Sequence, residues 1–402
     1  MIRAVLGDMG TAVDPNSFKS LAATIFMGVV GPAVFIVQPG FVQGLVEHIG
    51  LTDVEAGYVA SAEMWGIAIT TVIMTFGSHK VNWRHVFAVS LLIMIAGNIM
   101  STTTTDFESF RMLRILTGLG AGGIVSLSFA AIGLTDDPDR NFGYLIMWVL
   151  IYGAIALLAM PTAYALVGMT GVLWFFAIFA ACALPVVRFL PMSGETRAQV
   201  EADAINLPQG LKAMALVAML SYFLAQGVVW AYLFLIGVAA GVTEQNVANG
   251  LTISQFLGIA GAFTAAMLGN RIGRAAPLTV GILAGATSLL FIIGEFDFLV
   301  YAVAVGVYNY AWNMVHPFLL ASMASFDRRG RVVVYAVAMQ MIGLAIGPYL
   351  AATVISEGVY ANVNGLGIAL FLLSLFLILP PVLIQARRAA VDPAQLGRTD
   401  GM

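Results

Sequence analysis

A few ionisable side chains interrupt stretches of sequence that are otherwise apolar enough for a lipid bilayer. Glu63 stands within the apolar segment 56–76, and Arg111 and Arg114 stand at the start of the apolar sequence that continues to residue 135. A charge inside a membrane costs about 2.5–3.5 kcal/mol on insertion scales, so such residues are functional candidates by default. A buried carboxyl can bind and release a proton, and a buried guanidinium can pair with an anion. The chemistry indicated is the handling of protons or anions inside a membrane.

Glu63 and Arg114 are predicted to lie at similar depth. At about 1.5 Å per helical residue, Glu63 lies roughly 9 Å from Gly57 at the end of its helix, and Arg114 lies roughly 12 Å from Asp106. Glu63 could therefore pair with Arg114, or with Arg111, which shares a helix face with Arg114 at a spacing of three. One hypothesis is that Glu63 alternates between an ion pair and a protonated state. The alternatives are a permanent bridge and, for Arg111, a side chain that extends to the membrane surface.

A polar and aromatic stripe marks a later apolar stretch. Four residues are spaced at i, i+3, i+4 and i+7 and so share one helix face: Asn309, Trp312, Asn313 and His316. Pro317 follows and permits a bend. Such a face needs water or protein beside it. The two interpretations are a wall of a solute-binding cavity and hydrogen bonding between helices.

Two other apolar stretches carry polar groups on one face. Gln226 and Trp230 follow Tyr222 at intervals of four residues. Gln38 stands directly before a Pro-Gly pair, where a helix can bend. Together with the stripe, these amides and rings suit a small, partly flat organic molecule with polar substituents.

The elements that position these residues are membrane-spanning helices. The chain has 402 residues, of which 60% are hydrophobic and only 10% are charged, whereas soluble domains have roughly a quarter of their residues charged. The segment 56–76 is one span, and the uncharged segment 142–187 is long enough for two, with a turn at Gly168-Met-Thr-Gly171. Nine further uncharged stretches each reach the length of about 20 residues that a crossing takes: 20–46, 86–105, 115–135, 213–243, 245–270, 275–294, 298–326, 332–356 and 358–386. We therefore predict an all-α polytopic membrane protein with twelve transmembrane helices.

The distribution of charge predicts the orientation. If the N-terminus is cytoplasmic, the inner segments contain sixteen of the eighteen basic residues: Arg3, Lys19, Lys80, Arg84, Arg140, Arg188, Arg197, Lys212, Arg271, Arg274, Arg328, Arg329, Arg331, Arg387, Arg388 and Arg398. The outer loops contain mainly acids: Glu47, Asp53, Glu55, Asp106, Glu108, Glu244, Glu295, Asp297 and Glu357. This asymmetry fits the positive-inside rule. We expect a multi-pass protein of the cell inner (cytoplasmic) membrane with both termini in the cytoplasm.

The chain divides into two similar halves. Residues 1–190 are predicted to form an N-terminal six-helix bundle, 191–209 a cytoplasmic linker and 210–402 a C-terminal six-helix bundle. A shift of 192 positions places Glu63 on Gln255 and Gly66-Ile-Ala68 on Gly258-Ile-Ala260. An offset close to half the chain is what parallel transporter repeats produce.

This architecture and two motifs resemble the major facilitator superfamily over about residues 18–388. The segment Asn270-Arg-Ile-Gly-Arg274 is similar to the family's signature loop, and Arg114 followed by the glycine-rich segment 118–123 is similar to a motif on the fourth span. The first-half counterpart of the loop, residues 77–84, keeps basic residues but lacks the usual acid and second glycine. The fifth-span pattern of many antiporters in the family is not recognisable in 151–161, which disfavours export by antiport.

The resemblance implies where the site lies. In the family's arrangement the first, fourth, seventh and tenth spans line a central cavity. The implied substrate-binding residues are Gln38, Arg114, Gln226, Trp230, Asn309, Trp312, Asn313 and His316, and the implied gating loop consists of Asn270, Arg271, Gly273 and Arg274. The hypothesis for proton coupling uses Glu63, Arg111 and Arg114.

The same residues give an expectation for function. Arg111 and Arg114 against Glu63 leave the embedded charges net positive, and protonating Glu63 increases this excess, which favours a carboxylate travelling with a proton. We therefore expect a secondary active transporter that works by alternating access, as a proton-coupled symporter taking up a small organic anion such as an aromatic carboxylate. The alternatives are a proton-coupled exporter of drugs or metabolites and a non-transporting membrane sensor of the same fold.

Other functional classes lack their sequence signals. The four histidines are dispersed, and neither His-Glu-x-x-His nor Gly-x-Ser-x-Gly occurs, so we expect neither an enzyme nor a metal site. The chain contains no P-loop, and its basic loops follow from topology, so we expect no nucleotide and no nucleic acid as partner. We expect no cofactor and no obligate protein partner. The expected partners are a small-molecule substrate, a proton and the lipid bilayer.

Overall fold

The structure is a computed structural model that describes residues 13–194, 201, 203–356 and 359–391. Both chain ends lie outside the described residues, as do Arg197 and Glu357. The prediction that both termini are cytoplasmic therefore stays a prediction.

Helices account for most of the described chain. Those before the linker are α1 (Phe18–Val30), α2 (Ala33–Ile36), α3 (Gln38–Gly44), a π-helical turn (Leu45–Ile49), α4 (Asp53–Gly77), α5 (Trp83–Ser101), α6 (Phe107–Ile132) and α7 (Pro138–Ala183). Those after it are α8 (Gln209–Trp230), α9 (Leu233–Ala239), α10 (Glu244–Leu268), α11 (Ala275–Leu290), α12 (Phe298–Ser325), α13 (Arg331–Val354) and α14 (Ala361–Val391). The prediction of an all-α membrane protein is confirmed.

Within the described ranges, nine helices are long and apolar enough to cross a membrane. One of them, Pro138–Phe189, is interrupted at Gly168, whose φ of 62° and ψ of −171° break the helix at the predicted turn. Two shorter apolar helices, Phe18–Val30 and Ala275–Leu290, supply further segments. The count of twelve crossings stays a prediction, because it depends on this broken helix and on the shorter ones.

Glycines bring the helices into backbone contact. A Cβ on Gly118 of α6 would overlap the carbonyl oxygen of Glu63 on α4, and one on Gly66 would overlap the carbonyl oxygen of Ile115. In the second half of the chain, a Cβ on Gly347 of α13 would overlap the backbone of Gly227 on α8. Small residues at these crossings allow the close approach on which helix packing in membranes depends.

The loops define two faces. We call the face with loops 78–82, 133–137, 269–274 and 326–330 and the linker the linker face, and the face with loops 50–52, 102–106, 240–243 and 291–297 the far face. The linker pairs with the second half, since Ile205 N–H donates to Ser325 O at 3.0 Å and Leu207 N–H donates to Phe326 O at 3.2 Å. The linker also contacts the first half of the chain, since Trp83 N–H donates to Met192 O at 2.7 Å. The linker thus connects the linker-face ends of both halves.

Candidate functional site

A cavity between the two halves has a volume of about 180 Å³. Its wall contains residues from helices on both sides of the linker. The polar lining residues are Gln255, Asn309, Asn313, His316 and Gln340, and the aromatic ones are Phe35, Phe129, Phe223, Trp230 and Trp312. No Asp, Glu, Lys or Arg stands among the described lining residues. The cavity therefore offers amides, rings and one imidazole, without a fixed charge.

The predicted stripe on α12 forms one wall of this cavity. Asn313 Nδ2 donates to Asn309 Oδ1 at 2.8 Å, and Asn309 Nδ2 donates to Ser254 Oγ on α10 at 3.2 Å. His316 Nε2 lies 3.1 Å from Gln340 Oε1 on α13. Because an amide oxygen accepts, this contact makes Nε2 the donor and leaves Nδ1 as the nitrogen that can take up a proton. The stripe both lines the cavity and bonds neighbouring helices, and that this cavity binds a solute stays a prediction.

A group of aromatic residues joins the two halves beside the cavity. Trp230 Nε1–H donates to Phe35 O at 3.0 Å across the halves. The ring of Trp312 packs edge-on against Trp230 at 5.8 Å and against Phe35 at 6.4 Å between centroids. Phe223 packs edge-on against His316 at 5.0 Å. Flat groups can stack on such rings, which suits the planar molecule expected from the sequence.

Glu63 and Arg114 meet outside the cavity wall. Arg114 Nη1 lies 3.7 Å from Glu63 Oε1, and the side chains are 0% and 6% exposed. Arg114 Nη2 donates to three oxygens of α5 and α6: Asn98 Oδ1, Ser101 Oγ and Thr117 Oγ1, at 3.0, 3.1 and 2.8 Å. Nε and Nη1 of Arg114 have no hydrogen-bond partner among the described residues. The pair is buried in the first half, and Arg114 does not line the cavity.

Arg111 lies elsewhere. Its Nη2 pairs with Glu108 on the same helix, at the start of α6, and its side chain is 33% exposed. Its guanidinium also lies over the ring of Phe107 at 5.3 Å. Of the two partners that the sequence allowed for Glu63, the structure brings only Arg114 to it. Arg111 therefore adds no free positive charge beside Glu63. The expectation of an anionic substrate depended on an excess of embedded positive charge, and these residues no longer support that excess.

Two other predicted residues are buried behind the cavity wall. Gln38 and Gln226 are 3% and 1% exposed, and neither lines the cavity. The Oε1 atoms of both have no hydrogen-bond partner among the described residues. The backbone oxygen of Gln226 accepts from Tyr308 at 3.4 Å. Both side chains are therefore buried among helices in this structure.

The predicted gating loop lies at the linker face. Gly269 and Gly273 have φ of 49° and 70°, and these positive values shape the loop that contains Asn270 and Arg271. Arg274 binds the linker: Nη1 lies 2.8 Å from Asp203 Oδ2, Nη2 lies 3.1 Å from Asp203 Oδ1, and Nη2 lies 3.2 Å from Glu201 Oε2. Of the four loop residues, Arg274 is the one that forms ion pairs with the linker among the described residues.

The sequence did not single out several residues of the cavity. Gln255 had appeared only as the repeat partner of Glu63, and Gln340 and Phe35 had not been named. A signal existed for Gln340, because it is an isolated amide in an apolar span. No such signal exists for Phe35, since an aromatic residue in an apolar span has no distinctive spacing. Among the described residues no group of three or more His, Cys, Asp or Glu could hold a metal ion.

Comparisons with known proteins bear on the fold. The human organic anion transporter MFSD10 (TETRAN) is 17% identical, with a TM-score of 0.64, over 90% of this chain and 99% of that one. The nucleoside transporter NupG, in a mutant form, is 13% identical, with a TM-score of 0.69, over 91% of this chain and 98% of that one. At these identities the likeness shows the fold alone.

A curated protein matches a short segment. NAD(P)H-quinone oxidoreductase subunit 2 of Microcystis aeruginosa (strain NIES-843 / IAM M-2473) is 32% identical over 94 residues, which are 23% of this chain and 17% of that protein. The matched segment is too small a part of that relative to carry its activity over. The family model described as Major Facilitator Superfamily, in contrast, matches residues 23–317. Since that match covers most of the chain and agrees with the fold, this chain belongs to the Major Facilitator Superfamily and is a membrane-embedded secondary transporter.

Proposed function

We propose that this chain takes up a small, planar organic acid together with a proton, by alternating access through the cavity. The observation that carries the proposal is the composition of the wall: amides and rings surround His316, which is the one residue of the described lining whose side chain can take up a proton. Amides recognise polar substituents, and rings stack on a flat body.

The absence of fixed charge in the described cavity lining supports transport of the substrate and its proton as a neutral unit. An isolated anion in a low-dielectric cavity is costly unless it is paired. With no fixed cation in the described lining, a carboxylate needs a proton on His316, and the pair then moves as a neutral unit. The anion contact in this proposal is therefore His316, which lines the cavity, and not Arg114, which does not.

The Glu63–Arg114 pair supports a second part of the proposal. Glu63 has one long contact with Arg114 and lies in α4, which packs closely against α6 through Gly66 and Gly118. Protonation of Glu63 would remove its attraction to Arg114 and loosen that crossing. We propose that Glu63 couples proton binding to helix movement, with Arg114 as its partner. The alternative is a permanent bridge that holds the first bundle together.

The arrangement of contacts supports alternating access. Hydrogen bonds that join the halves include those of Tyr232 and Tyr360 to Asp53, at 2.9 and 2.7 Å, at the far face. Ser61 Oγ also donates to Ala345 O at 2.6 Å. At the linker face, the described contacts run instead through the linker. We therefore propose that this form is closed at the far face and exchanges solute at the linker face, which is the cytoplasmic side if the predicted orientation holds.

The experiment is uptake into sealed liposomes. Purified protein is exposed to an inward proton gradient and to aromatic carboxylates, each tested beside its uncharged amide of the same shape. We expect gradient-driven uptake of a carboxylate, loss of the gradient dependence in His316→Gln, and native behaviour in His85→Gln, an exposed histidine that serves as the matched control.

Three outcomes would contradict the proposal in distinct ways. Equal uptake of acid and amide without effect of the gradient would indicate a carrier of neutral planar molecules. Efflux of lipophilic cations in exchange for protons would indicate the exporter. Binding of a ligand with no flux of any solute would indicate a membrane sensor.

A further inference from the structure

Two carboxyl groups from opposite halves meet at the far face. Glu47 lies in the π-helical turn of the first half, and Glu244 is the first residue of α10 in the second. Gln43 of α3 connects them, since its Nε2 donates to Glu47 Oε2 at 2.9 Å and to Glu244 Oε1 at 3.4 Å. One amide nitrogen thus reaches a carboxyl on each side of the interface.

Gln43 points to a bound species at this position. Its side chain is 6% exposed, and its Oε1 has no hydrogen-bond partner among the described residues. A buried amide oxygen without a partner is costly, and its nitrogen can neutralise neither carboxylate. The two acids hold the Gln43 side chain through its nitrogen, and a bound species is still needed to offset their combined negative charge.

Among the described residues no Lys or Arg forms an ion pair with either acid, and His48 is the nearby group that can carry positive charge. His48 follows Glu47 and is exposed, and its ring stacks on Tyr164 of α7 at 4.7 Å. Helix α9, which packs against α3 and α10, has no titratable side chain. The acids that begin α4 and α12 are engaged elsewhere: Asp53 accepts from Tyr360, Glu55 from Thr52 and Asp297 from Val300. Tyr301 of α12 donates to Leu233 O.

We infer that Glu47 and Glu244 bind one shared proton, and that this proton holds the far face closed. Two ionised carboxylates in contact repel, whereas one proton between them converts the repulsion into a hydrogen bond across the halves. Both residues are accessible at the far face, since Glu47 is exposed and Glu244 is partly exposed, so the proton exchanges with that side. Loss of the proton then favours the form that is open there.

The electrostatics of Glu47 agree with this arrangement. The hydrogen bond from Glu244 holds the pKa of the Glu47 carboxyl below its usual range, with further lowering by Gln43 and His48. The two carboxyls therefore act as one coupled pair that shares the proton. The inference concerns regulation of the conformational equilibrium and does not depend on the substrate or on the proposed roles of His316 and Glu63.

The test measures the opening of the far face without substrate. Spin labels are attached at Thr105→Cys and Glu295→Cys, one in each half, in a Cys182→Ser background, and their separation is measured in liposomes from pH 5 to pH 8. In the otherwise native chain we expect a short distance at pH 5 and a growing long-distance population as pH rises. The ratio of the closed to the open population should change by up to roughly tenfold for each pKa unit by which the shared proton binds more tightly to the closed form than to the open form.

The variants identify the groups that respond. Glu47→Gln and Glu244→Gln replace one acid by an amide that can still donate a hydrogen bond, so each should stay closed at every pH. Glu108→Gln, which removes an acid of the same face paired with Arg111, should follow the native curve.

Two results would overturn the inference. One is a label separation that does not change with pH in the native chain. The same conclusion follows if Glu47→Gln and Glu244→Gln still change their label separation with pH as the native chain does. The other is closure at pH 8 on replacing choline by sodium, which would identify a bound cation in place of the proton. Because no substrate is present, neither result bears on the proposed transport reaction.

Discussion

The guanidinium of Arg114 lies 3.7 Å from the carboxylate of Glu63 in a buried part of the first half. The distance is long for an ion pair with good hydrogen-bond geometry. Arg114 is instead held tightly by Asn98, Ser101 and Thr117. The arginine is therefore fixed in place, and Glu63 is the partner that can change its state.

Removal of Arg114 and removal of Glu63 should change the stability of the protein by different amounts. Arg114→Met leaves Glu63 buried without its cation and should destabilise the protein by about 3 kcal/mol. Glu63→Gln keeps the shape but leaves the Arg114 charge buried without its anion; because Asn98, Ser101 and Thr117 still accept hydrogen bonds from Arg114, the loss should be smaller, and the double variant should recover most of it. Thermal unfolding in detergent measures these effects.

If Glu63 also couples protons, Glu63→Gln will bind substrate but will not concentrate it along a proton gradient. A fully active Glu63→Gln carrier would show that the pair is a structural bridge only.

Binding of the acid should depend on pH through His316. A protonated imidazole attracts a carboxylate, so affinity should be highest at low pH and should fall as the proton is lost on raising the pH. His316→Gln should bind weakly at every pH. Gln340→Leu removes the acceptor of His316 Nε2 and should shift the pH profile while leaving the cavity rings in place. Titration of tryptophan fluorescence from pH 4 to pH 8 measures this, and a native profile in His316→Gln would assign the dependence to another group.

The contact between α4 and α6 should not tolerate a larger residue at Gly118. A Cβ at this position would overlap the carbonyl oxygen of Glu63, and backbone cannot move aside as a flexible side chain can. Gly118→Ala should destabilise the protein by about 1–3 kcal/mol, the usual range for overpacking. Gly143→Ala on α7, where a Cβ meets open space, is the matched control and should be neutral or slightly stabilising. Equal thermal midpoints for both variants would contradict the tight crossing.

The contact of the linker with Arg274 should be sensitive to acid. Partial burial of Asp203 opposes its ionisation, but the hydrogen bonds from Arg274 outweigh this and hold the pKa of Asp203 below its ordinary value. A group whose pKa is lowered on folding stabilises the folded state above its unfolded pKa, near 3.9 for Asp, and loses that contribution as the pH falls through the folded value. The thermal midpoint should therefore drop on acidification below about pH 4.

The variants of this contact provide the control. Asp203→Asn and Arg274→Gln should have a lower midpoint at neutral pH and a smaller drop on acidification. Arg271→Gln, an exposed residue of the same loop, should follow the native protein. An unchanged midpoint in Arg274→Gln at neutral pH would show that the linker is held by its backbone contacts alone.

The sequence by itself determined the membrane helices, the turn at Gly168, the family and the polar stripe from Asn309 to His316. These follow from hydropathy and from the 3.6-residue period, which are local properties of the chain. The sequence also placed Glu63 and Arg114 at similar depth, because depth depends only on the rise per residue.

Only the tertiary structure decided which groups meet. It paired Glu63 with Arg114, placed Arg111 beside Glu108, buried Gln38 and Gln226 behind the cavity wall and brought Gln340 to His316. It also brought Glu47 and Glu244 to one amide. Local periodicity fixes which residues share a helix face, but the rotation of each helix and its choice of neighbour are set by the packing of distant segments.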